Sequence, residues 1–278
     1  MSFQNIVKPR LYLNLPEYMA IKGVSIDPIF RTLPLTPQSI TNVPTIAPEI
    51  EITNPYVAIL GHNESSISLT GTTSTEDIIN GTIGAVQTGF SIFKVDSIPT
   101  EITLQNEASS VLLGTFYDFP TSPDASLTLE YAYEGHKEIT TKGGATLTNS
   151  FYSGPPNKWQ LGETANSSIY GKTGRRIWSL KWSFMSDEKI FPDNAGLANE
   201  DSNSTNETLL QGDTFQRVIT LLDGGRLPFI FCGDNTNDNL DSPKPDQFAI
   251  AKFDMKSYKF KMVAHNIYSI SIKIKEIW

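Results

Sequence analysis

Apolar residues recur at every second position in short runs, and the runs are bounded by Gly, Pro, Asn and Asp. Successive side chains of a strand point to opposite faces, so this spacing predicts half-buried antiparallel strands. In the run 177–184, Trp178, Leu180, Trp182 and Phe184 fall on one face, which must be covered. In the last run Tyr268, Ile270, Ile272, Ile274 and Trp278 share a face, with Ser269, Ser271, Lys273 and Lys275 on the other. Tyr258, Phe260 and Met262 alternate with lysines, and the short link Ala264-His265-Asn266 predicts a hairpin over 257–278.

Upstream, short strands are expected at 50–53, 56–60, 66–69, 90–95, 101–104, 110–115 and 126–131, with turn residues separating nearly all of them. That pattern is the signature of a sandwich or jelly-roll. Helix is scarce. Phe215, Val218, Ile219 and Leu222 form one apolar stripe, with Asp213 as the expected N-cap and Gly224-Gly225 as the stop, which predicts a helix of about three turns over 213–223. A shorter helix is expected from Pro16 to Lys22, closed by Gly23. Residues 24–49 carry Pro28, Pro34, Pro37, Pro44 and Pro48, which block helix and central strand alike. They are expected to be extended, either as an arm ordered by a neighbouring subunit or as a strap across their own domain. The polar stretches 194–208 and 233–246 are expected to be long loops.

Composition narrows the function. The chain of 278 residues has a net charge of −8 and a pI near 5.0, and its basic residues are spread along the sequence. Phosphate-backbone binding needs concentrated positive charge, so no nucleic-acid role is expected. No apolar run approaches the length of a membrane span, and the first ten residues do not read as an export signal. The sequons at Asn63, Asn80, Asn166, Asn203 and Asn206 are then by-products of an Asn-, Ser- and Thr-rich chain. The one cysteine, Cys232, cannot pair within the chain and is expected to be a buried apolar residue, compatible with assembly in a reducing cytoplasm.

No arrangement for catalysis stands out. His62, His136 and His265 lie on predicted turns far apart in sequence and read as solvated loop residues. The run Asp234 to Asp241 alternates oxygen ligands as calcium loops do, yet Asn239 stands where the glycine belongs and Pro245 where the bidentate Glu belongs. Tyr131, Tyr133, Phe151, Tyr152 and Trp159 have ring faces suited to sugars, but in alternating strands such rings serve a core or an interface more often. No catalytic residue, cofactor or metal is therefore expected.

From Gly174 to the end the chain resembles minor tail and distal tail proteins of tailed bacteriophages. The resemblance is carried by Gly174-Arg175-Arg176-Ile177-Trp178-Ser179-Leu180, the helix ending at Gly224-Gly225, Leu227-Pro228-Phe229-Ile230-Phe231, the acidic Asn-rich loop, Pro245 to Asp254, and the closing run Tyr268 to Trp278. A further run, Leu112 to Asp124, is similar to segments of phage structural proteins. The resemblance implies a β-sandwich or split barrel with one packed helix, and subunits that form rings, often hexameric, joining tail tube to tail tip. The fold expected is thus mainly β: a helix and Pro-rich arm at 1–49, a sandwich or jelly-roll domain at 50–160, and a tail-type β domain at 161–278. The function expected is that of a non-catalytic virion subunit, assembled in the host cytoplasm, with tube and hub proteins as partners. The alternatives are an adhesin that binds host glycans through 63–82 or 233–246 and, behind it, a polysaccharide depolymerase.

Overall fold

The computed structural model of the chain describes residues 6–32, 38–40, 42–62, 64, 66–81, 89–125, 128–132, 136–150, 175–192, 208–235 and 247–277. The strands are β1 (Arg10–Asn14), β2 (Pro55–His62), β3 (Ser68–Thr70), β4 (Thr75–Gly81), β5 (Gly89–Val95), β6 (Glu101–Thr103), β7 (Ser110–Asp118) and β8 (Thr128–Ala132). They continue as β9 (His136–Thr140), β10 (Thr146–Ser150), β11 (Arg175–Ser186), β12 (Phe229–Cys232), β13 (Phe248–Phe253), β14 (Phe260–Ala264) and β15 (Ile267–Glu276). The α-helices are α1 (Leu15–Ile21), α2 (Asp187–Ile190) and α3 (Phe215–Leu221). The chain is mainly β and its ladders are antiparallel.

Eleven strands form one sheet in the order β4-β5-β2-β7-β1-β12-β13-β15-β11-β8, with β14 paired to β15. Residues expected in separate units at 50–160 and 161–278 thus share a sheet, and β1 joins them by pairing with β7 on one side and β12 on the other. The central strands are buried on both faces. Leu11 and Leu13 of β1 enter one core with Phe229, Phe231, Ala249, Ala251, Trp178, Trp182 and α3, whereas Tyr12 enters a second core with Tyr56, Phe90, Ile230 and Phe248. Such strands read as continuous apolar runs, as in Phe229-Ile230-Phe231-Cys232.

Ring contacts show how the sheet bends. Phe90 on β5 and Phe248 on β13 lie 6.1 Å apart although four strands separate them in the ladder, so this half curls around the second core. The other half curls around the first. Phe119, just past β7, stacks on Trp182 of β11 at 4.3 Å, Trp182 Nε1 donates to the Thr121 carbonyl at 2.9 Å, and Asp124 N donates to the Lys181 carbonyl at 2.7 Å. Neither curl closes into a barrel.

Several local expectations need correction. Phe184 does not share the face of Trp182. A bulge between Trp182 and Met185 turns Met185 into the core at 1% exposure and leaves Phe184 outside at 74%. Met262 is likewise exposed, at 57%, because it sits near the end of a hairpin whose partner residue Tyr268 is itself only half-buried. The hairpin itself forms, with Asn266 at φ 57° in its turn, and Trp278 lies outside the described residues. Residues 50–53 form no strand: the Glu51 N–H donates to the Leu210 carbonyl, and the Glu51 carbonyl accepts from Arg217 Nη2.

The cap of α3 is Thr214 and not Asp213, since Thr214 Oγ1 accepts from Arg217 N at 3.3 Å. The helix has seven residues, about two turns. It stops there because Asp223, Gly224 and Gly225 all take positive φ. Of residues 24–49, those described form a strap on their own chain. Ile29 and Phe30 are buried after a short 3₁₀ turn, and Ile26, Ile40 and Val43 pack on a third core with Val57, Phe93 and Leu113. Asn14 anchors the strap, donating from Nδ2 to the Phe30 carbonyl at 2.8 Å.

At Gly114, β7 leaves no room for a side chain beside β1. A Cβ there would stand 2.1 Å from the Leu13 carbonyl oxygen, with Leu15 Cγ at 3.0 Å. Backbone cannot move aside in a strand held from both edges. Gly114→Ala is expected to lower the unfolding free energy by about 3 kcal/mol, read from urea titration; a loss under about 0.5 kcal/mol, the level of a surface change, would contradict this packing.

Candidate functional site

The buried polar groups are the places where chemistry would be built, because a buried ionisable group must be paired or neutral. His62 is one, and it corrects the reading of a solvated turn residue. It lies in β2 with no exposed surface. Its Nδ1 accepts from the Glu64 backbone N–H at 3.1 Å, which places the ring proton on Nε2, and Nε2 donates to Ser91 Oγ at 3.0 Å. A serine is activated by the opposite tautomer, in which Nε2 accepts its proton. The couple therefore locks β2 to β5 and does not generate a nucleophile. Glu64, also buried, accepts from Gln105 N at 3.1 Å and holds the connection between β6 and β7.

Four arginines, Arg10, Arg175, Arg176 and Arg217, are buried as well. Arg176 of β11 makes a forked contact with Glu276 of β15, Nε to Oε2 at 3.1 Å and Nη2 to Oε1 at 2.9 Å, and Nη2 also donates to the Phe248 carbonyl at 2.8 Å. Both side chains are buried, so removing either partner alone is the costly change, about 3–5 kcal/mol for such pairs. Arg10 pairs with Asp118 through Nε at 2.6 Å and Nη2 at 2.9 Å, and its guanidinium lies 4.0 Å from the Phe116 ring centre. Burial works against the Arg10 charge, but Asp118 and Tyr12 together outweigh it and move the pKa up. Asn235 Nδ2 donates to the same Asp118 at 2.7 Å. Arg217 of α3 donates to the carbonyls of Leu210, at 3.1 Å, and Gly212, at 2.6 Å. Burial pushes its pKa down and that of nearby Asp213 up.

These pairs carry a sequence signal. Arg176 is in phase with Trp178, Leu180 and Trp182, and Glu276 with Ile270, Ile272 and Ile274. A charge in the apolar phase of an alternating strand must meet its opposite in the core.

The remaining residues singled out from sequence do not converge. Cys232 is buried in β12, its Sγ donating to the Asp234 carbonyl at 3.3 Å. His265 is exposed in the hairpin turn, and the backbone of His136 lies in β9. Of the calcium-like run, Asp234 and Asn235 are described and 236–241 lie outside the described residues, as does Pro245. Tyr131 is exposed on β8, while Tyr133, Phe151, Tyr152 and Trp159 lie outside the described residues. Among the described residues no group of three or more His, Cys, Asp or Glu could hold a metal ion, and no helix is long and apolar enough to cross a membrane. Comparison of the chain with protein-family models, with curated proteins and with solved structures found no match.

The surface differs in kind. Phe184 is exposed on β11, and Met262 and Val263 on β14, two strands that both pair with β15. β4 and β8 end the main path of the sheet and β14 pairs only with β15, so each has one edge with no strand beside it among the described residues.

Burial lowers the His62 pKa from 6.5 to about 4. Above pH 6.5 the ring is neutral folded and unfolded; below it, the unfolded chain takes up a proton that the folded ring refuses. Stability should fall by about 2 kcal/mol between pH 6.5 and 5, at about 1.4 kcal/mol per pH unit. His62→Asn should remove that loss in urea titrations at the two pH values. An unchanged pH dependence in the variant would contradict the buried neutral ring.

Proposed function

We propose that this chain is a structural subunit of a tailed-phage virion, a ring-forming distal tail or baseplate component that links tail tube to tail tip. Two supports come from the residues. The run from Gly174 onward resembles that family, and within it α3 packs through Phe215, Val218 and Leu221 on the core beneath β11, β13 and β15. The observation that carries the reading is the contrast between interior and surface. Buried histidine and arginines are spent on fixing strands, whereas the exposed apolar residues Phe184, Met262 and Val263 stand near an open strand edge. Large apolar side chains grouped on a surface mark sites of protein contact, and an open edge is a template for another chain.

In this reading the partners are further copies of the chain and the adjoining tube and hub proteins, and the place of action is the virion. Mass spectrometry of purified particles, with cryo-EM of their tails, tests it. The chain should be present at a fixed copy number and sit in a ring between tube and tip. Its absence from particles would overturn the proposal.

A further inference from the structure

The basic residues, expected to be spread along the sequence, are unevenly distributed, and the acidic net charge hides a division of charge along the sheet. Residues 51–132 hold ten acidic residues and one basic residue, Lys94. Residues 251–275 hold six lysines and one acidic residue, Asp254. The fold gathers the lysines. Ile270, Ile272 and Ile274 of β15 face the core, so Lys273 and Lys275 face outward, with Lys252 of β13 opposite Lys275, Lys181 of β11 opposite Ser271, and Lys261 of β14 opposite Ser269. Lys256 and Lys259 are exposed in the link before β14. The acidic residues Glu76 and Asp77 are exposed on β4, with Asp96 just beyond β5 and Glu101 on β6. β4 ends the sheet on that side, β8 ends it on the other, and β14 branches off the path by pairing with β15.

We propose that copies of this chain join head to tail, the lysine-bearing β14 edge of one copy seated on the acidic β4 edge of the next. Charge selects the occupant. Two β14 edges would set lysines against lysines, and two β4 edges would set carboxylates against carboxylates. Like charges directly opposite destabilise a strand pair, and edge lysines are a known barrier to pairing like with like. The mixed contact is the one in which both patches gain. Met262 and Val263, exposed at 57% and 43% on and beside the same edge, supply the apolar part of the contact. An interface between two different surfaces repeats from copy to copy, so it closes into a ring or runs on as a filament. The inference deepens the ring reading above, and its test needs only the purified chain, so its outcome is separate from detection in particles.

Sedimentation velocity of the full chain at low and high salt provides the test. Oligomers are expected at low salt and monomers at high salt, because exposed charge contacts are screened. Lys259→Glu with Lys261→Glu should weaken association at least about tenfold. Asp77→Lys with Glu101→Lys, which leaves the Glu76–Lys94 pair intact at 3.7 Å, should do the same. Near-UV circular dichroism checks that both variants remain folded. Mixed together they should associate again, since the intact acidic edge of one meets the intact lysine edge of the other and the two reversed edges also carry opposite charges. Monomers at every salt concentration, oligomers indifferent to the reversals, a mixture that stays monomeric, or a wild-type chain that gains mass only when short duplex DNA is added would each overturn it.

Discussion

Burial of the same strands from both sides is the constraint on which this fold depends. β1, β12 and β13 form a wall between two cores, with Leu11 and Leu13 on one face and Tyr12 on the other. A strand with one wet face can lose its partner and keep its register by hydration. A strand with two dry faces cannot, because its backbone groups find partners only in the adjoining ladders. Each half of the sheet therefore relies on the wall that the other half covers. The wall is also pinned at one end: Val7 N donates to the Gly233 carbonyl, Arg10 forks onto Asp118, and Asn235 joins the same carboxylate.

The polar interior follows from that arrangement. Two cores sharing a wall leave few places where a charged group can be buried and still find its complement. Arg176 and Glu276 occupy one, where β11 and β15 run side by side and the Phe248 carbonyl of β13 accepts the remaining guanidinium bond. His62 occupies another and stays neutral. These groups help fix the register of the sheet, while on the surface Glu76 and Asp77 are exposed on β4 and Lys261 on β14.

Much of the fold was legible in the sequence, and what was not has identifiable physical causes. The runs ending in Trp182 and Ile274 show one wet face, so period two is visible and the strands follow. β1 has no such signature: Arg10-Leu11-Tyr12-Leu13-Asn14 is buried throughout, between Pro9 and the helix-opening Pro16, and neither period appears. The bulge that exchanges Phe184 for Met185 is a backbone event, and both residues are apolar, so the pattern continues through it unbroken. His62 looked like a turn residue because it follows Gly61 and precedes Asn63, yet its burial depends on Ser91, far away in sequence. The charges on Arg176 and Glu276 were readable as out of place among apolar neighbours. Their pairing depended on a register that only the folded sheet fixes. The division of charge was present in the composition of 51–132 and 251–275, but its meaning required knowing which strands lie at the edges.

Hydrogen exchange tests the shared wall most directly. Amides of β2, whose side chains enter the second core, and of β11, whose side chains enter the first, should exchange from the folded state with the same opening free energy. Both should lose protection together when Leu11→Pro removes the β1 amide that pairs with its neighbours. Continued protection of either half in that variant would show that the two cores stand independently and that the wall is not shared in the way described.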